Sequence, residues 1–412
     1  MPESYFTLVK KMSKNLKLYF TASFFAYLGL GAGNVLVNLY LVEKGFSADV
    51  VGMYQSIKLF TTGLLALPAG MVCNKMGFKW SLKQGLFFIG TGILILVFFD
   101  HQLFVYLSSF VWGLGLSVFA VSAPPFIQEN AEPRQRQQAF SINFAVMMLS
   151  QMMGNLISGR LVEFLPYETL FSYRITLGLF TSFTLVGILF LTGIKETIKP
   201  FNFSLQGQLK GIINLATKNN YVPKLLTCHI LIGVGAGLIV PLLNVFLKEN
   251  VGATIGQIGT IMSISQTTTA FAALMAPFIV LRLGKIKGIS LLRLSSIPFL
   301  LAIALLQNVY VVGVAVFIRS SLMNMTHPVE SELSMGLVEK EERAPLSALL
   351  KTMDSVGRAF SVLLGGYLMS NIGYTIPYYL TCIIYVFATI LFYKWFNHIE
   401  KDKSQLTQNL QM

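Results

Sequence analysis

The strongest constraint on this chain is a series of apolar stretches, each close to the roughly 20 residues that a helix needs to cross a hydrocarbon core. Short polar links separate them. The pattern gives twelve spans, at 16–41, 48–73, 79–99, 102–128, 138–164, 170–193, 225–247, 254–281, 287–307, 309–333, 346–371 and 374–396. The chain is 54% hydrophobic and 12% charged, whereas a soluble domain carries about 25% charge, so most of its surface must face lipid. The fold class expected is an all-α membrane protein of twelve transmembrane helices.

A net charge of +13 would suit nucleic acid if the basic residues lay on one face among aromatics. They lie between the apolar runs instead, which excludes that partner. Alternate loops hold Lys75, Lys79 and Lys83; Arg134 and Arg136; Lys195, Lys199, Lys210, Lys218 and Lys224; Arg282, Lys285, Lys287 and Arg293; then Lys340 and Arg343. The opposite loops hold Lys44 and Lys248, and this asymmetry places both termini in the cytoplasm of a multi-pass cell-membrane protein. Lys10, Lys11, Lys14 and Lys17 lead into a first span too long for a signal-peptide core and lacking a small-residue cleavage site, so it reads as a retained anchor. Cys73, Cys228 and Cys382 have no metal-ligand spacing and read as inert packing residues.

The longest link divides the spans six and six, giving a bundle at 1–193, a cytoplasmic linker at 194–224, a second bundle at 225–396 and a tail at 397–412. Within the linker, Phe203 to Leu215 reads as an amphipathic helix on the membrane surface, or alternatively as a disordered connection. The halves match at a shift of 207 residues: Gly52 falls on Gly259, Gly77 on Gly284, Glu132 on Glu339, Arg136 on Arg343 and Gly159 on Gly366. Gly31-Ala32-Gly33 matches Gly235-Ala236-Gly237 at a shift of 204. Such a register predicts two pseudo-symmetric six-helix bundles.

The topology resembles the major facilitator superfamily along nearly the whole chain, and so do two motifs. Between spans two and three, Gly70, Asn74, Lys75, Gly77 and Lys79 are similar to the family's gating loop, with Asn74 where an aspartate is usual. An ordinary positive turn is the alternative. In span five, Ser150, Gly154, Asn155, Ser158 and Gly159 are similar to the family's antiporter motif, with Asn155 in place of its proline; plain close packing of helices is the alternative. The drug antiporters' span-four arginine corresponds to Ser109, which weakens a reading of proton-coupled drug efflux. The resemblance implies a secondary transporter, most often proton-coupled, whose halves rock around a mid-membrane site.

No nucleophile elbow, phosphate-binding glycine loop or His/Cys cluster is present, so the chain reads as no enzyme, with no cofactor and no metal. The informative residues are charges inside apolar spans, because each costs roughly 2.5–3.5 kcal/mol at mid-bilayer. Span eleven presents Lys351, Asp354 and Arg358 on one helical face. Lys58 lies mid-span in helix two and Arg319 in helix ten, and this basic excess favours an anionic or zwitterionic group on the substrate. The span-eleven trio reads alternatively as an internal salt bridge. Asp354, Glu330 and Glu332 are the candidate proton-coupling carboxylates, with His327 beside them. Asn34, Asn38, Gln55, Gln151, Asn155, Asn244 and Gln266 complete a candidate substrate site, or else bond helix to helix.

The leading expectation is an efflux transporter of small amphipathic molecules, a monomer among membrane lipids, with protons as coupling ion. One alternative is uptake or flipping of an anionic metabolite or lysolipid. A second, from another class, is a membrane sensor without net transport.

Overall fold

In the computed structural model, residues 12–132, 135–195, 220–338 and 343–409 are described. The Phe203–Leu215 stretch and Lys10, Lys11, Arg134, Lys199, Lys210, Lys218, Glu339 and Lys340 lie outside them, as do the side chains of Asn74, Arg282, Glu332 and Arg343. The chain forms two compact units, Met1–Phe203 with Ala253–Ser263, and Ser204–Gly252 with Ile264–Met412.

Helices in chain order are α1 Lys14–Glu43, α2 Ala48–Leu64, α3 Ala66–Met76, α4 Phe78–Phe98, α5 Gln102–Asn130, α6 Arg136–Phe164 and α7 Thr169–Thr192; then α8 Tyr221–Ile239, α9 Leu243–Glu249, α10 Ile255–Leu283, α11 Lys285–Ser295, α12 Ile297–Leu305, α13 Val309–Asn324, α14 His327–Met335, α15 Arg343–Asn371 and α16 Ile376–Asn409. They make up twelve spans, four of which are broken. The second breaks at Leu65, the seventh at a 3-10 turn over Val240–Leu242, the ninth at Ser296 and the tenth at Met325–Thr326. A proline stands within three residues of each break, at Pro68, Pro241, Pro298 and Pro328; proline supplies no backbone donor and disfavours helical geometry in the residue before it.

Local chemistry sets the helix starts. The Ser13 side chain accepts from Leu16 N–H, His101 Nδ1 from Leu103 N–H, and Asn308 Oδ1 from the N–H groups of Tyr310 and Val311, each satisfying donors that the first turn leaves open. Gly77 and Gly284 join consecutive spans at φ 88°, ψ 160° and φ 84°, ψ 159°, a conformation open to glycine and strained for other residues. The two glycines that share the 207-residue register thus make the same turn.

Among the described residues nine helices are long and apolar enough to cross a membrane. The second, eighth and eleventh spans are not in that set; the eleventh carries Lys351, Asp354 and Arg358. The distribution of side chains suits lipid. Phe360, Tyr367, Ile383 and Phe387 are more than half exposed, and Ser23, Ser108, Ser172, Thr176 and Thr184 are fully buried beside the apolar core; exposed large apolar side chains in such number suit a lipid-facing surface.

Within the first unit α1 packs on α6 and α7; within the second α8 packs on α15 and α16. Small residues make both contacts close. A side chain at Gly154 would meet the Leu28 carbonyl oxygen, and one at Gly365 the Leu238 carbonyl oxygen. The span-five glycines therefore serve helix approach, and Gly159 likewise lies against Gly259 inside the first unit.

The loop at 99–101 is held by charge. Lys44 Nζ lies 2.8 Å from Asp100 and donates to the carbonyls of Leu96 and Phe99, at the C-terminal end of α4. Arg174 reaches Asp100 at 2.6 Å and the Tyr40 hydroxyl at 2.9 Å. Glu163, at the far end of α6, instead accepts from Gly256 N–H at 2.8 Å.

Gly365→Leu is expected to lower the detergent melting temperature by several degrees, since overpacking costs roughly 1–3 kcal/mol, whereas Gly178→Ala, which meets nothing within 4 Å, leaves it unchanged; equal melting of both variants contradicts the close-packing account. The Lys44 hydrogen bond, then the charges of Lys44 and Arg174, lower the pKa of Asp100. A depressed carboxylate pKa stabilises the fold above the ordinary carboxylate range, and the gain disappears as pH falls through the lowered value. Asp100→Asn is therefore expected to cost up to about 1 kcal/mol at pH 7, as exposed pairs do, and to flatten the acid side of the melting-temperature profile.

Candidate functional site

The second unit contains a cleft of about 90 Å³ lined by residues of α8, α11, α13, α14, α15 and α16. Ile232, Ala236, Val240, Met323 and Tyr385 supply an apolar wall, and Arg293, Arg319, Arg358, His327 and Glu330 the charged or titratable part. Gly235 lets the Tyr385 ring lie against α8, since a side chain there would meet the ring carbons. Below the polar groups, Cys228, Leu225, Ile289, Leu292, Leu346 and Phe392 form a dry layer.

Two ion pairs organise the polar groups. Arg293 Nη2 donates to both carboxylate oxygens of Glu330 at 2.6 Å, and both side chains are at most 5% exposed. His229 Nε2 stands 3.6 Å from the same carboxylate. The Arg293 guanidinium also lies over the Phe392 ring, 5.2 Å from its centroid, a contact that desolvation strengthens. Arg358 Nε donates to the Asp354 oxygens at 3.1 and 3.0 Å across one turn of α15, and this pair is a fifth to a quarter exposed. Thus Asp354 takes Arg358 as its partner, while Lys351, three residues away, is exposed.

Of the residues singled out from sequence, the cleft brings together Arg319, Arg358 and Glu330, with Asp354 joined through Arg358. The others lie elsewhere. In the first unit, Lys58 is 9% exposed, with Nζ 4.5 Å from the centroid of the Trp112 ring. Gln55 donates to Asn38 at 2.5 Å, so these two bond helix to helix. Asn34 is exposed, and Asn155 is fully buried with neither side-chain polar atom hydrogen-bonded among the described residues. Gln151 is half-buried, its backbone against Gly31. Asn244 is buried and accepts from Val245 N–H at the start of α9, and Gln266 is half-buried on α10.

In the loop motif, Gly77 supplies the turn and Lys79 donates to the Ile194 carbonyl at 2.7 Å, just past the end of α7. That bond joins two elements of the first unit. Gly70 is buried within α3, and Lys75 is exposed in its last turn.

Sequence reasoning misses the Arg293–Glu330–His229 cluster. It counts Arg293 with a positive loop; the structure corrects this, placing Arg293 inside α11 at 2% exposure. It places His327 beside Glu330 but passes over His229, whose Nε2 stands 3.6 Å from the same carboxylate. One signal is available, since span nine as assigned from 287 already encloses Arg293, and an intramembrane arginine calls for an acidic partner.

Comparison with known proteins agrees with this architecture. The sequence profile described as Major Facilitator Superfamily matches residues 19–218 and 225–410. Two proteins named multidrug resistance protein MdtH are similar over part of the chain: that of Aeromonas hydrophila is 25% identical over 166 residues, 40% of this chain and 41% of its own length. That of Aeromonas salmonicida is 24% identical over 161 residues, 39% of this chain and 40% of its own. Among solved structures, a mutant of the nucleoside transporter NupG superposes with a TM-score of 0.77 at 16% identity, covering 93% of this chain and 100% of that one. A bacterial homologue of the iron transporter ferroportin, in an inward-facing state, gives 0.74 at 15% identity, covering 95% of this chain and 99% of that one. A bacterial homologue of the human lysosomal transporter Spinster gives 0.75 at 12% identity, over 92% of this chain and 95% of that one. These likenesses fix the fold as twelve membrane-spanning helices in two six-helix bundles, and the profile match over both halves makes the chain a member of the major facilitator superfamily, a transporter and not an enzyme.

Proposed function

We propose that this protein is a secondary transporter that moves small amphipathic molecules by alternating access of its two halves, coupled to protons and working as an efflux system. Its proposed setting is the cell membrane, as a monomer among lipids, with both termini in the cytoplasm, as the distribution of lysine and arginine favours. Partial similarity to proteins named for multidrug resistance supports the direction. The observation that carries the coupling is the Asp354–Arg358 pair beside the cleft.

A coupling carboxylate must be reached by protons and must change its partner when it gains one. Asp354 meets both conditions, because it is partly exposed and Arg358, its one ion-pair partner among the described residues, lines the cleft. Protonation removes the attraction that holds Arg358 in place and changes the charge presented to a ligand. Glu330 fits the role less well: it is 5% exposed and bonded through both oxygens to an equally buried arginine, an arrangement suited to fixing α11 against α14. Uptake or flipping of an anionic molecule is a second reading, favoured by one observation, the arginine excess around the cleft.

Proteoliposomes with an imposed pH gradient and a panel of amphipathic fluorescent dyes test the coupling. Asp354→Asn is expected to cut gradient-driven dye transport at least tenfold while dye counterflow without a gradient continues; transport at the wild-type rate contradicts the assignment. Glu330→Gln is expected to lower thermal stability by about 3–5 kcal/mol, as stranding one partner of a buried pair does. Wild-type melting in that variant contradicts the structural role.

A further inference from the structure

The charges around the second unit's cleft do not cancel. Three guanidinium groups line it, Arg293, Arg319 and Arg358, and two carboxylates answer them among the described residues, Glu330 on Arg293 and Asp354 on Arg358. Arg319 is the remainder. It is 6% exposed, makes no hydrogen bond or ion pair among the described residues, and its Nε is buried without an acceptor. Arg358 meets Asp354 through Nε alone, so among the described residues both of its terminal nitrogens keep their donors. A buried cation without a counter-charge is costly to hold, and a guanidinium offers a planar fork that matches a carboxylate or phosphate.

We propose that this cleft is an oxyanion-binding subsite, centred on Arg319 and completed by the terminal nitrogens of Arg358, which holds the carboxylate or phosphate head of a small amphipathic ligand. The proposal rests on the transporter reading and adds the chemical class of the ligand's head. The walls fit the remainder of such a molecule: Ile232, Val240 and Met323 are apolar, and Tyr385 offers a ring face. One bound monoanion brings the three arginines and two carboxylates to neutrality.

The test is a charge series on a constant tail. Octanoate, octyl phosphate, octanol and octylamine are titrated below their aggregation limits into the purified full-length protein, and binding is read by calorimetry. Octanoate and octyl phosphate are expected to bind at least tenfold more tightly than octanol, with octylamine weakest. Arg319→Gln should bring the anions to the level of octanol, and Arg319→Lys should keep part of the preference. Octanol binding as tightly as octanoate to the wild type overturns the subsite whatever the variants do, and so does undiminished octanoate binding by a folded Arg319→Gln protein. Nanodiscs separate the sources of the oxyanion: weaker octyl phosphate binding in phosphatidylglycerol than in phosphatidylcholine assigns the subsite to a lipid phosphate, and equal binding assigns it to a soluble ligand, both retaining the subsite. Absence of anion preference with pH-driven dye transport intact removes this proposal alone; loss of the Asp354 dependence removes the coupling reading alone.

Discussion

The ion pair between Arg293 and Glu330, whose side chains are at most 5% exposed, sets the terms on which the second unit holds its polar groups. A single ionised side chain in the hydrocarbon region costs roughly 2.5–3.5 kcal/mol even on the mildest scales, so each partner offsets the cost of burying the other. Their bond ties α11 to α14 over the apolar layer around Cys228 and Phe392. Everything polar in the cleft is then arranged against that fixed pair. Asp354 and Arg358 form a looser, wetter pair on α15, and Arg319 is left with its charge unanswered among the described residues. One pair thus serves as framework and the other as a group free to respond.

Backbone packing supplies the remaining order. Between helices in lipid there is no hydrophobic gain comparable to that in water, so close approach through small residues does the work. Gly154 beside Leu28 and Gly365 beside Leu238 play this part in the two units, and Gly77 and Gly284 repeat one turn at positive φ. Serine and threonine hydroxyls turn inward to bond helix carbonyls, as Thr381 does to Gly235 and Ser263 to Met152. Some large side chains, Phe360, Tyr367, Ile383 and Phe387 among them, are left on the outside.

Much of this is legible from residues in order. Apolar length marks twelve spans because the bilayer sets a minimum that a helix cannot evade, and the doubled glycines mark the repeat because a turn at positive φ tolerates little else. The Asp354–Arg358 pair can be read because a spacing of four is a local rule. Arg293 and Glu330 are 37 residues apart, and His229 lies farther still; no period links positions on different helices, so loop counting claims Arg293 first. Lys58 stands out for its depth, yet its contact with Trp112 depends on how α2 meets α5, which sequence spacing does not fix. The breaks at Leu65 and Ser296 escape a reading by hydropathy, which is indifferent to the prolines beside them.

The central claim is that ionised groups in these spans face a water-reachable cleft and not the acyl chains. Thiol accessibility measures this directly, in membranes holding a variant from which Cys73, Cys228 and Cys382 have been removed. Ser320→Cys places a thiol on the lining of the cleft, and Phe360→Cys places one at an outward position 64% exposed. The account predicts rapid reaction of the first with a charged, water-soluble thiosulfonate and no reaction of the second. Protection of the residue 320 thiol together with labelling at residue 360 would contradict it.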